Sequence, residues 1–272
     1  MTTLKLTGER TLPGVPTENY WFRRHEAAYR ALTRYCRHAD VLEAGCGEGY
    51  GGELLRTQAE ARVVALDYDA RTVDHVKRTY PDLLPVRGNV TALPFSGRTF
   101  DAVMSLQVIE HLWDPKALVR ESARVLRPVG SLLVSTPNRE TFSPGSPGSP
   151  GSPGSQGSPG SQGSPGSAEP GAASAQRPAN PFHHHEFTAD ELTELLDPSF
   201  EVIRLLGVQH GHRITEWERR HGTLVDAQLA TEPDAWQPEL RAMVESVTCE
   251  DFDLVPVELD TALDLVVVAV RR

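Results

Sequence analysis

A chain of 272 residues with a formal net charge of −10 at pH 7 has room for one large domain or two small ones. Its 39% hydrophobic and 24% charged content is that of an ordinary soluble enzyme, and the acidic balance disfavours sequence-independent binding to nucleic acid or anionic membranes. No run approaches the roughly 18 apolar residues of a membrane span. The N-terminal MTTLKLTGERTLPG has no apolar signal core, and Cys36, Cys46 and Cys249 are scattered, so a reduced, cytoplasmic protein is expected.

In chain order, NYWFRRHEAAYRALTRYC (19–36) carries Tyr20, Phe22, Ala27, Leu32 and Tyr35 on one helical side and forms the core of an N-terminal helical cap over 1–39. DVLEAGCGEGYGGELL (40–55) then reads as strand, tight glycine turn and helix. RVVALDYD (62–69) is a second buried strand, ARTVDHVKRTYP (70–81) a helix stopped by Pro81, LLPVRGNV (83–90) a third strand, and FDAVMSLQVIEHL (100–112) begins as a fourth. PKALVRESARVLRP (115–128) is a helix between prolines, and GSLLVSTPN (130–138) a fifth strand. This alternation predicts a parallel sheet covered on both faces, in a doubly wound α/β fold whose ligands bind at the carboxyl ends of the strands.

Ser-Pro-Gly and Ser-Gln-Gly triplets follow from residue 143. Nothing apolar is available there to bury, so 143–179 is expected to be a disordered insertion in the loop after strand five rather than a domain boundary or a collagen-like segment. TADELTELL (188–196) has capping-box spacing from Thr188 to Glu191. FEVIRLLGV (200–208) is a sixth strand, and LDLVVVAVR (263–271), the most continuously apolar, a central last one. Between them, 209–262 shows weak helical patterns and is expected to form a lid or side wall. One domain is thus expected over 40–272, interrupted by the insertion.

The glycine cluster Gly45, Gly47 and Gly49 departs from a dinucleotide fingerprint, because Tyr50 stands where the third small residue is needed. Asp67 ends the second strand, where a carboxylate can accept from both ribose hydroxyls, and Tyr68 can lie against a flat base. The site therefore reads as adenosine-binding with little provision for pyrophosphate. A nucleotide-dependent dehydrogenase and a non-catalytic adenosine-binding protein are the competing classes. The first lacks the third glycine and any Tyr-x-x-x-Lys.

In order, VLEAGCGEGYG, VVALDYD, GNVTALPF, FDAVMSLQVIEHL and ARVLRPVGSLLVSTPN resemble the class I S-adenosylmethionine-dependent methyltransferases. The resemblance implies a Rossmann-like seven-stranded sheet with an antiparallel last strand. It implies that Glu43, Gly45, Cys46, Gly47 and Gly49 contact the methionine part of S-adenosyl-L-methionine, and that Asp67 holds its ribose. Tyr68, Asn89 and Val90 would surround the adenine, with Asn89 bonding the adenine amino group, and Gln107 would lie near the sulfonium. The whole chain also resembles an actinobacterial group associated with gene clusters for methylated glucose polysaccharides, through LTGERTLPGVPTENYWFRRHEAAY, VIEHLWD, STPNRETFSPG, NPFHHHEF and LDLVVVAVR. That implies O-methylation of a sugar hydroxyl; a small-molecule or quinone-like acceptor is the alternative.

A sugar hydroxyl is a poor nucleophile and needs a base. His111 in VIEHL and His183 in NPFHHHEF are the candidates, with Glu186 beside His183 and with His184 and His185 expected to be solvated. Arg24, His25 or Tyr29 would face the cofactor carboxylate. A metal site from His183, His185 and Glu186 with His210 or His212 is conceivable, but no metal is expected.

Overall fold

The computed structural model describes residues 11–144 and 180–272. In chain order the elements are α1 (Asn19–Leu32), β1 (Asp40–Ala44), α2 (Tyr50–Ala59), β2 (Arg62–Asp67), α3 (Ala70–Thr79), β3 (Leu84–Arg87), β4 (Phe100–Leu106), α4 (Pro115–Val125), β5 (Leu126–Pro137) and the single turn α5 (Arg139–Phe142). Then come α6 (Ala189–Leu196), β6 (Phe200–His210), α7 (His212–His221), α8 (Leu224–Leu229), α9 (Pro238–Ser246), β7 (Phe252–Val255) and β8 (Asp264–Arg271). The caps follow from local chemistry. Asp69 and Asp114 accept the amides of Arg71 and Ala117, and Thr188 and Glu191 complete the capping box of α6.

One mixed sheet runs in the order β3-β2-β1-β4-β5-β8-β6-β7. Strands β1 to β5 are parallel, and β8 lies antiparallel between β5 and β6. Alternate residues of each central strand enter two separate cores. Val41, Val266 and Val268 pack with α1 and α2, while Leu42, Leu265 and Val267 pack with α4 and α6. This is the doubly wound arrangement, with the antiparallel strand where it was expected.

The sheet has eight strands rather than seven. The extra one, β7, pairs only with β6 at the edge, from Gly207↔Val255 to His210↔Phe252. Its four residues are bounded by Asp251 and Pro256, too short a run for alternation to stand out. The helix expected to end at Pro128 stops at Val125, and the fifth strand begins at Leu126. Residues 209–262 form α7 to α9 and β7, and α9 and β7 pack on α1 at the far end of the sheet.

Almost all of the Ser-Pro-Gly insertion lies outside the described residues. The chain on either side of it is joined directly: Asn138 bridges Phe187, and the Arg139 amide donates to the Phe187 carbonyl at 3.0 Å. Asn138, 1% exposed, also donates to the carbonyls of Leu259 and Ala262.

Two buried carboxylates fasten the helices to the sheet. Asp264, at the start of β8, forms an ion pair with Arg24 of α1 (Nε to Oδ2, 2.9 Å) and accepts from the Gln107 amide at 3.2 Å. Glu43 in β1 is 1% exposed and accepts from the Tyr29 hydroxyl at 2.9 Å. A Cβ at Gly51 would lie 2.5 Å from Glu43 Oε1, and one at Gly52 2.6 Å from Oε2, so this glycine pair lets α2 close over the carboxylate. Burial pushes the Glu43 carboxyl up from 4.5 to about 8.

The folded protein therefore holds a proton on Glu43 that the unfolded chain releases above its ordinary range. Stability from this group falls as pH rises from about 4.5 to about 8. Glu43→Gln should flatten that decline, so that the gap between its Tm and the wild-type Tm moves in the variant's favour between pH 5 and pH 8; a constant gap would contradict the assignment. Because Asn138, Arg139 and Phe187 close the loop at its base, deleting 143–166 should leave Tm and S-adenosylhomocysteine affinity unchanged, as read by calorimetry.

Candidate active site

The carboxyl ends of β1, β2, β3 and β4 open onto a cavity of about 880 Å³. Its lining includes Gly45, Cys46, Gly47, Asp67, Tyr68, Asn89, Val90, Gln107 and His111. Four successive strand ends thus bring together most of the residues expected to hold the cofactor. Glu43, Gly49 and His183 are not among the lining residues. Glu43 lies behind the glycine turn, bonded to Tyr29, so it shapes the turn from below. Gly49 has φ +97°, and a Cβ there would meet Val76 at 2.8 Å, which makes it a packing residue at the start of α2.

The turn is built from backbone amides. Gly45 (φ +89°) and Cys46 both donate to the Leu66 carbonyl, at 2.8 and 2.9 Å. Gly47 donates to Asp67 Oδ2 at 3.0 Å, and Asp67 Oδ1 accepts the Asp69 amide at 2.9 Å. Asp67 thus fixes the turn through both carboxylate oxygens from the end of β2. Glu48, 6% exposed, sits under the turn and accepts from the Tyr80 hydroxyl at 2.8 Å and the Tyr50 amide at 3.1 Å. Sequence reasoning passed over Glu48, because its role depends on Tyr80 arriving from the end of α3.

Asn89 Oδ1 accepts from both the amide and the hydroxyl of Thr91, at 2.9 and 2.8 Å. Tyr68 is 73% exposed at the rim, Val90 is buried, and both line the cavity beside Asn89. Gln107 has φ +56°, and its NH2 donates to Asp264 Oδ1 and Ser135 Oγ, both at 3.2 Å. Of the α1 candidates, His25 and Tyr29 line the cavity, whereas Arg24 is committed to Asp264. Burial holds His25 down at about 3, so it is neutral.

The other end of the cavity is lined by His111, at the end of the 3-10 turn Ile109–His111, by Leu112, Trp113 and Asp114, and by Phe182. The amides of His184 and His185 both donate to the Glu110 carbonyl, at 2.8 and 3.2 Å, which straps the histidine loop onto that turn. His111 Nδ1 lies 3.2 Å from the Phe182 carbonyl, which can only accept, so Nδ1 carries a proton there. His183 sits behind it, with ring centroids 5.0 Å apart, and its Nδ1 is 2.7 Å from Glu186 Oε1. Its side chain is only 8% exposed. His184 is exposed and stacks on Trp113 with centroids 3.8 Å apart. His185, expected to be solvated, is half-buried against Phe187 and Glu191. His210 bonds Tyr20 and Glu218 away from this loop, so the metal set built on His185 and His210 is not assembled. Burial pushes the Glu110 carboxyl, 1% exposed, up to about 7.

Among the described residues, no helix is long and apolar enough to cross a membrane. The methyltransferase domain family matches residues 42–134, which span the glycine turn, Asp67 and the end of β4. A probable S-adenosylmethionine-dependent methyltransferase of Mycolicibacterium smegmatis is 46% identical over 98% of this chain and 95% of the relative. One of Mycobacterium tuberculosis is 44% identical over 98% of this chain and 90% of the relative. The structure of an S-adenosylmethionine-dependent methyltransferase from Mesorhizobium loti superposes with a TM-score of 0.55 over 92% of this chain and 98% of that one, at 18% identity, a likeness of fold. The near-full-length identity to these relatives makes this chain a member of the S-adenosylmethionine-dependent methyltransferases.

Proposed function

We propose that the enzyme methylates a hydroxyl of a sugar in a polysaccharide or glycolipid precursor, in a reducing cytoplasm. The observation that carries this reading is the pairing, around one cavity, of His111, anchored through Nδ1 to the Phe182 carbonyl, and the exposed face of Trp113. Trp113 is 86% exposed, and an aromatic face held flat by His184 suits the C–H face of a pyranose whose hydroxyls point elsewhere. Phe182, half exposed, extends the same wall. The likeness of the whole chain to the methylglucose-polysaccharide group supports the same acceptor.

In this reading, Gly45, Cys46 and Gly47 bind the methionine arm of the cofactor, Asp67 the ribose, and Tyr68, Asn89 and Val90 the adenine. Gln107 faces the sulfonium side. When bound, the cofactor supplies the electrophilic methyl, and the chain supplies position and a shielded site. The acceptor oxygen forms a bond to the methyl carbon as the carbon–sulfur bond breaks, and the hydroxyl proton passes to the His111 side. The products are a methyl ether and S-adenosylhomocysteine. Because β4 and β2 flank β1, His111 and Asp67 stand on opposite sides of the glycine turn, which separates acceptor activation from cofactor anchoring.

His111→Ala should lower kcat by about 10²- to 10⁴-fold with S-adenosylhomocysteine affinity within about twofold. Asp67→Ala should weaken that affinity by roughly tenfold or more, the worth of a charge-assisted hydrogen bond. A mass-spectrometric screen with labelled cofactor, offering glucan and mannan oligosaccharides beside a catechol-type quinol, tests the acceptor directly. Label on a sugar whose KM rises in Trp113→Ala is the expected result; label only on the quinol would overturn the sugar reading.

A further inference from the structure

We infer that Glu110, His111 and His183 form a binding site for one divalent transition-metal cation at the acceptor end of the cavity. Each side chain offers one ligand atom, and the three atoms lie within 4.8 Å of one another. A cation bound at about 2.1 Å from each ligand would draw them together by roughly 0.5–1 Å per side chain. Two imidazoles and one carboxylate, with positions left over for oxygen ligands, suit Mn²⁺, Co²⁺, Fe²⁺ or Zn²⁺ better than Mg²⁺, which prefers oxygen.

Three further features fit a metal centre. His111 donates from Nδ1 to the Phe182 carbonyl, which turns Nε2 toward Glu110, 3.9 Å from its Oε1. With Nε2 deprotonated, an imidazole nitrogen and a carboxylate oxygen face each other across a span that a cation can bridge. His183 is oriented by Glu186 through its Nδ1, the carboxylate–imidazole pairing that fixes metal-binding histidines, which leaves Nε2 as the coordinating nitrogen. Asn180, whose Oδ1 is occupied by the Phe182 amide, approaches Nε2 with its NH2 at 3.0 Å and would have to give way. Glu186 is itself 3% exposed, and its Oε2 has no hydrogen-bond partner among the described residues. A buried carboxylate left half-satisfied is costly, and a cation-bound imidazole beside it would offset that cost. Glu110 is equally fixed, since its Oε2 accepts from Thr136 at 3.0 Å and its carbonyl holds the histidine loop.

The role of the ion in turnover rests on the O-methylation reading; its binding does not. With a cation in place, His111 would be its ligand, and the cation would replace His111 in activating the acceptor: the bound hydroxyl would lose its proton to water and its oxygen would take the methyl as the carbon–sulfur bond breaks. No metal was expected, and Glu110 was in none of the sets considered, because these ligands come from two segments distant in the chain.

The test is titration of the chelator-stripped full chain with Co²⁺, followed by calorimetry and visible absorption. One Co²⁺ per chain is expected, with a nitrogen-coordinated spectrum. Affinity should fall at least tenfold in His183→Ala and in the half-exposed His111→Ala, and about 10- to 100-fold in Glu186→Gln. S-adenosylhomocysteine affinity, unchanged in these variants, certifies the fold. No stoichiometric Co²⁺, or binding of equal strength in both histidine variants, would overturn the site. Chelation should also abolish turnover and Co²⁺ or Mn²⁺ restore it. If no sugar is methylated but Co²⁺ still binds and is lost on substitution, the acceptor reading fails and the metal site stands.

Discussion

The buried carboxylate of Asp264 is the constraint on which the cleft depends. It begins β8, pairs with Arg24 of α1 and accepts from Gln107 at the end of β4. Three segments far apart in the chain are therefore fixed relative to one another by two oxygens that water scarcely reaches. Burial raises the Asp264 carboxyl above its ordinary range, and the Arg24 charge and the Gln107 amide oppose that rise. The positive φ of Gln107, a strained setting for a residue with a side chain, is tolerated because Ser135 and Asp264 hold the amide in place.

The same principle recurs at the carboxyl ends of the strands. The Glu43 side chain supports the glycine turn from beneath and Glu48 from the side of α3, while the Glu110 carboxyl accepts from Thr136 and its backbone carbonyl anchors the histidine loop. The acids nearest the cleft thus carry structural bonds. The acidity of the chain says little about its ligand, and the placement of each carboxylate says a great deal.

Much of this was legible beforehand, for physical reasons. The strand–turn–helix at 40–55 is written in local chemistry, because glycine is needed where φ is positive and an acid ends the next strand where a ribose would lie. The alternation of five strands with helices, and the continuous apolar run of β8, fixed the architecture. What was hidden depends on contacts between distant segments. Glu43 could be matched to a motif, but that its carboxylate is capped by Tyr29 and covered by Gly51 and Gly52 is visible only in three dimensions. His183 was expected at the mouth, yet the loop amides bonding to Glu110 carry it one layer deeper. Strand β7 escaped notice because an edge strand of four residues needs little alternation when its partner supplies the register.

The central place of β8 sets an order on how the protein forms. Strands β5 and β6 have no direct pairing; each meets β8, which follows both in the chain. During synthesis their inner edges therefore stay open until residues 264–271 emerge. Nascent chains that stall before that point would present two strands with one edge unpaired, a natural target for chaperones. Asp264 arrives with the same strand, so Arg24 and Gln107 gain their shared acceptor only then. The enzyme's cleft is completed by the act that removes its stickiest edges, and a half-made chain has neither.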